Sequence, residues 1–186
     1  MTVGFAMCGS FCTFSSVFPM MEAIAREHRV IPIFSGNAAS IDSRFGTAQS
    51  HLHRATEICG QAPVVTIEQA EPIGPKKLLD ALIIAPCTGN TLAKLAHGIA
   101  DSPVTMAAKS HLRNGRPILI AVSTNDALAG AAENIGKLLG RKHYFFVPFG
   151  QDDPEKKPTS MVADFTKIPP ALYAALEGRQ IQPMIL

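Results

Sequence analysis

Ala85-Pro86-Cys87-Thr88-Gly89-Asn90-Thr91-Leu92-Ala93-Lys94-Leu95-Ala96-His97-Gly98-Ile99-Ala100-Asp101 joins a strand exit, a small-residue turn and a helix start in one stretch. The apolar run Ala81 to Ala85 precedes it, so Pro86 is expected to end a buried strand and Asn90 or Thr91 to cap the next helix. Such a junction leaves backbone N–H groups free at the positive end of a helix dipole, a setting that suits phosphate.

The chain opens on the same arrangement. Val3 to Met7 reads as a strand, and Cys8-Gly9-Ser10-Phe11-Cys12-Thr13 as a tight turn into a helix. Gly9 lets the backbone approach a ligand closely, and the hydroxyls of Ser10 and Thr13 can donate to phosphate oxygens. Two such turns on two strands of a doubly wound sheet surround one crevice at the topological switch point.

Outward from these turns the pattern alternates. A helix is expected over Thr13 to Glu27, starting late or kinking at Pro19, then a strand at Arg29 to Phe34 leaving through Ser35-Gly36-Asn37. A helix at Ala48 to Cys59 and a short strand near Val64 to Ile67 follow. Beyond the strand Ala81 to Ala85 come helices Thr91 to Ile99 and Val104 to Leu112, strand Pro117 to Val122, helix Leu128 to Leu139 and strand His143 to Val147. Continuous apolar strands separated by helices imply a parallel sheet covered on both faces. The expected fold is α/β: a three-layer α/β/α, doubly wound parallel sheet of Rossmann or flavodoxin-like type.

The 186 residues, 47% hydrophobic, suffice for one core, so residues 1–186 read as a single domain. Gly150 to Pro158 gathers charge between prolines, which makes 150–162 a flap or a linker before a short terminal helix near Pro170 to Leu176. A net charge of +2 without a dense Lys/Arg stripe argues against nucleic acid, and no run reaches the about 18 apolar residues a membrane span needs. The uncharged first twenty-one residues lack the basic start of a signal peptide. The four cysteines form no Cys-x-x-Cys pair, which points to a reduced cytoplasmic setting and no metal site. They read as small buried fillers, although Cys8 and Cys87 stand at helix-start turns that would stabilise a thiolate. Lys94 and His97 read as decoration of an exposed helix face, and Asp126 as a helix cap or a base.

Pro86, Asn90-Thr91, Lys94, Ala96, Gly98 and Asp101, together with Gly9-Ser10, resemble the flavoprotein family of flavin-containing decarboxylases and flavin prenyltransferases, over about Val3 to Val147. That resemblance implies FMN. It implies phosphate contacts at Gly9, Ser10 and Thr13, with Ser35 beside them. It places Thr88, Gly89, Asn90 and Thr91 facing the flavin from the next strand, and Ser123, Thr124 and Asn125 where relatives contact the flavin ring and substrate. The exit Ser35 to Ser40 holds no histidine and Gln151 to Ser160 no cysteine, so the residues for cysteine-type decarboxylation are missing.

Arg44-Phe45-Gly46, Ala70 to Pro75, Asp101 to Lys109, Ser123 to Leu128 and Pro148 to Pro154 resemble a narrower branch of the family, over nearly the whole chain. Its members serve in oxidation of a dihydrodipicolinate-type precursor to pyridine-2,6-dicarboxylate in spore-forming bacteria. This implies an oxidoreductase subunit acting with an A subunit that binds NAD or NADP, a small dicarboxylate substrate, a homo-oligomer, and the mother-cell cytoplasm. The alternatives are a non-catalytic assembly or regulatory subunit with a vestigial flavin pocket, and an independent decarboxylase or prenyltransferase. A dicarboxylate favours guanidinium partners, and Arg44, Arg113 and Arg116 are available, with Lys109, Lys156 and Lys157 as point charges. Arg44 is the candidate because it follows a strand exit, whereas Arg113 and Arg116 precede a strand and belong at the opposite edge. No catalytic group is assigned.

Overall fold

A computed structural model describes residues 1–186. Strand β1 (Thr2–Met7) lies between β2 (Arg29–Phe34) and β3 (Ala81–Cys87), and β4 (Ile118–Thr124) and β5 (Tyr144–Phe146) continue beyond β3, all parallel. Val3 pairs with Val30 on one flank and Ala81 on the other. The chain therefore leaves β1 in one direction and later returns to its other side, which makes the gap between the exits of β1 and β3 the switch point. Strand β3 is buried at every residue, as a strand covered on both faces must be.

Helices α1 (Phe14–Glu27), α3 (Ala48–Cys59) and α8 (Ile168–Leu176) cover one face; α4 (Ile67–Ala70), α5 (Gly89–His97), α6 (Pro103–Leu112) and α7 (Ala132–Leu139) cover the other. The short α2 (Gly36–Ser40) follows β2. Helix α1 buries Phe14, Val17, Phe18, Met21 and Ile24 along one stripe, and a 3-10 turn at Phe11–Thr13 precedes it. Pro19 is on its exposed side, where the carbonyl it leaves without an N–H partner can meet water, and the helix continues through it. No helix is long and apolar enough to cross a membrane.

The structure corrects several local expectations. Only Val64 of the expected strand Val64 to Ile67 bridges the sheet, to Ile33. Thr66 and Gln69 instead form a reciprocal capping box that starts α4. Strand β3 passes through Pro86 to Cys87, with a cis Ala85–Pro86 peptide and a register shift after Ile84. The residue capping α5 is Thr88, not Asn90 or Thr91. Helix α7 starts at Ala132 rather than Leu128, because the Asp126 carbonyl takes the N–H groups of Ala129 and Ala131 and holds that stretch in turns. The sheet is also not wholly parallel. Past Val122, β4 pairs antiparallel with β7 (Met161–Ala163), which pairs with β6 (Phe149–Gly150). Residues 151–160 thus connect two strands of a hairpin.

Candidate functional site

The switch point carries a two-lobed cleft. Cys8 N–H donates to the Pro86 carbonyl at 3.2 Å, tying the β1 and β3 exits together. Gly9, after β1, and Thr88, after β3, line both lobes, a narrow one of about 390 Å³ and a wide one of about 610 Å³.

The narrow lobe has no apolar lining. Ser35 caps α2, its hydroxyl accepting from Ala38 N–H at 3.3 Å. Thr88 caps α5 with its side chain turned to Thr91 Oγ1 at 3.3 Å and to no backbone N–H, so the first-turn N–H groups of this nine-residue helix stay available beside Asn90 and Thr91. Thr91 Oγ1 donates to Cys8 Sγ at 3.2 Å and fixes the two exits side by side. Lys94 does not merely decorate a surface: its ammonium lies 2.8 Å from the Asp101 carboxylate, and both line this lobe. That bond holds the Asp101 carboxyl below the usual range.

Burial overrides the thiolate reading of the helix-start cysteines. It pushes the Cys8 thiol up to about 11, against a hydrogen bond from Thr91, and drives Cys87 well above its ordinary value. Both are neutral fillers at pH 7.

In the wide lobe, Ser10 Oγ lies 2.8 Å from Ser123 Oγ, bridging the exits of β1 and β4. Thr13 Oγ1 donates to the Ser10 carbonyl at 2.8 Å, and Thr124 Oγ1 donates to the Asp126 carboxylate. One wall is the Ser43–Gly46 turn, which places the Arg44 guanidinium 4.8 Å above the Phe45 ring. Gly46 makes this turn with φ +131°, and a Cβ there would stand 2.7 Å from the buried His51 ring. The hairpin loop also lines this lobe, and there Lys157 Nζ pairs with Asp152 at 3.1 Å. Thr159 and Ser160 clasp that loop onto β4: Thr159 Oγ1 donates to the Asn125 carbonyl at 2.7 Å, and Ser160 Oγ to Asn125 Oδ1 at 3.4 Å.

The residues expected at the site divide between the lobes. Ser10, Thr13, Arg44, Ser123, Thr124 and Asn125 line the wide lobe, Ser35, Asn90 and Thr91 the narrow one, and Gly9 and Thr88 both. Gly89 lines neither; it lets α5 start against the turn after β4, where a Cβ would come within 2.8 Å of Thr124 Oγ1 and Asp126 Oδ1. Asp126 caps no helix, since α7 starts after Ala131 without a side-chain cap. Arg116 pairs with Asp80 at 3.2 Å, at the far end of the strands. Sequence reasoning missed Phe11, Phe45 and Val162, which supply apolar contact, and Asp152; it offered Lys157 only as one of several available cations, without its partner. The charge cluster at 152–157 was the available signal; only the antiparallel pairing of β7 with β4 turns it inward.

The donor set fits the mononucleotide that the resemblance implies. Free helix-start N–H groups and hydroxyls suit a phosphate at the narrow end, while Phe11, Phe45 and Val162 give the wide end surfaces for a ring. No three His, Cys, Asp or Glu side chains cluster closely enough to hold a metal ion.

Comparison with known proteins identifies the family and the fold. The Flavoprotein family model matches residues 1–162. The chain is 43% identical over 185 residues to the B subunit of dipicolinate synthase from Bacillus subtilis strain 168, covering 99% of this chain and 92% of the relative. It superposes on the crystal structure of the B subunit of dipicolinate synthase from Bacillus halodurans with a TM-score of 0.91 at 41% identity, over 100% of this chain and 95% of that one. The FMN-dependent cysteine decarboxylase SpaF superposes with a TM-score of 0.70 at 23% identity, over 95% of each chain, a likeness of fold alone.

Proposed function

The chain belongs to the Flavoprotein family, and from that premise we propose that its two-lobed cleft holds FMN and that it works as the flavin-binding subunit of a dipicolinate synthase. The observation that carries the reading is the polarity of the cleft. One end offers only polar groups and helix starts, and the other is lined by both Arg44 and Lys157.

Gly9, Ser35, Asn90 and Thr91 would hold the phosphate. Ser10 and Thr13, beside Gly9 but opening on the wide lobe, would border the chain between phosphate and ring. Ser123, Thr124 and Asn125 would meet the ring edge. Arg44 and Lys157 would each take one carboxylate of a small dicarboxylate, Arg44 through its planar fork and Lys157 as a point charge. A bound flavin supplies a hydride acceptor, and aromatising a dihydropyridine requires removal of one hydride and one proton. The partner in this reading is an A subunit carrying NAD or NADP. The chain is further proposed to assemble as a homo-oligomer in the mother-cell cytoplasm.

The test is the absorption spectrum of the purified chain, followed by identification of any nucleotide released on denaturation. A yellow protein that releases FMN supports the reading. A protein that neither retains FMN nor takes it up overturns it. If partner-dependent dipicolinate formation survives Ser10→Ala and Arg44→Ala unchanged, the chain acts as an assembly subunit.

A further inference from the structure

A third cleft, of about 420 Å³, lies on the other flank of α5, between the end of that helix, α6 and the start of β5. Four cationic side chains line it, Lys94, Lys109, Arg113 and Arg141, and no carboxylate does. Two of the four are already engaged. Lys94 pairs with Asp101, and Arg141 donates to the Leu95 and Ala96 carbonyls at 3.1 and 2.7 Å, which fixes its guanidinium at the end of α5. Lys109 and Arg113 make no ion pair and stand four residues apart at the end of α6, on one side of the mouth.

The negative end of the α6 dipole accounts for cations at that position. It does not account for Tyr144. This residue is only 8% exposed, it lines the same cleft, and its hydroxyl makes no hydrogen bond within the chain. Its oxygen stays open to solvent on the cleft side, where it can donate to an acceptor that enters. Burial raises its pKa, so it keeps its proton at neutral pH. Leu95, Ile99 and Leu112 supply an apolar surface beside it.

We infer that this cleft binds a small organic carboxylate, its apolar body against Leu95, Ile99 and Leu112 and its carboxylate held by Arg113, Lys109 and the Tyr144 hydroxyl. The volume is within the range of small-ligand sites, and one phenol donor without a partner in the chain, with two exposed cations beside it, is the polar set such a ligand needs. The site shares with the two-lobed cleft only Lys94, which is held by Asp101 and takes no part in the proposed contacts, and the inference does not depend on flavin binding.

The experiment is a benzoate titration of the full chain, read from the methyl resonances of Leu95, Ile99 and Leu112, with inorganic phosphate as the control. Saturable shifts are expected at these three residues, with no saturation by phosphate at equal concentration. Arg113→Ala and Lys109→Ala should each weaken binding about fivefold or more, and Tyr144→Phe, which preserves the ring, about threefold. Shifts that do not saturate, or affinity unchanged in Arg113→Ala and Tyr144→Phe, overturn the inference. So do methyl groups that respond only after dilution separates the copies of an oligomer, because a second copy is then the occupant.

Discussion

Ser10 Oγ and Ser123 Oγ, 113 residues apart in the chain, lie 2.8 Å from each other where the β1 and β4 exits face across the wide lobe. Both hydroxyls can turn from one another to an incoming acceptor, so the pair is a ready donor set as well as a clasp.

Ser10→Ala and Ser123→Ala should each weaken FMN binding about tenfold, measured by quenching of flavin fluorescence. The fold should lose only about 1 kcal/mol in Ser123→Ala, since Ser10 is partly exposed and can turn to water, and about 1–3 kcal/mol in Ser10→Ala, which leaves the buried Ser123 hydroxyl without its partner. A variant with unchanged FMN affinity would remove these hydroxyls from the cofactor site.

Lys157 and Asp152 face the same lobe and neutralise each other. The bond to Asp152 raises the pKa of Lys157, so the ammonium is charged throughout the neutral range. Lys157→Ala deletes a cation and leaves a carboxylate facing the proposed dicarboxylate, whereas Asp152→Asn leaves the cation unopposed. KM should therefore rise about tenfold or more in Lys157→Ala and fall or hold steady in Asp152→Asn, with flavin content unchanged in both. Parallel losses in the two variants would instead assign the pair a role in holding the hairpin loop.

The fold was readable because β1, β3 and β4 are continuous apolar runs and each is followed by a small-residue turn; burial on both faces leaves no other reading of them. The narrow lobe was readable for the same reason, as Ser35, Asn90 and Thr91 belong to those turns. Arg44 could be placed because it follows a strand exit. Lys157 could not, because its position depends on the three-residue strand β7 reversing direction against the last two residues of β4, a pairing too short to leave a periodic signal. The start of α7 was misplaced because Leu128 to Ala131 has helical composition, yet the Asp126 carbonyl captures its N–H groups.

Gly89 separates packing from binding. A Cβ at this position would displace Thr124 Oγ1 and Asp126 Oδ1, both of them side-chain ends able to move. Gly89→Ala should therefore fold with a melting temperature near that of the parent, while disturbing the Thr124 hydroxyl on the wide lobe and weakening FMN binding. Adding Asp126→Ala gives the new methyl group room, so the double variant should recover much of the lost affinity. Strictly additive losses in the double-mutant cycle would show that the two positions act independently.

His111 sets an acid limit on stability. It is fully buried on α6, Nε2–H donates to the Pro117 carbonyl at 3.1 Å, and Nδ1 has no partner. Burial lowers its pKa from the ordinary 6.5 to about 4, outweighing that hydrogen bond, which favours the charged form. The folded state thus holds a neutral ring where the unfolded chain takes up a proton. The contribution is present in full above pH 6.5 and is lost as pH falls toward 4, about 3 kcal/mol in all. His51, buried against Phe14 and Phe18 with its own pKa lowered by burial and then by Arg54, acts in the same direction. Urea midpoints measured from pH 7.5 to 4.5 should therefore decline steadily. His111→Gln keeps a donor for the Pro117 carbonyl but removes the titrating ring, so its midpoint should start lower and fall less steeply. An equal slope in parent and variant would place the acid sensitivity elsewhere in the chain.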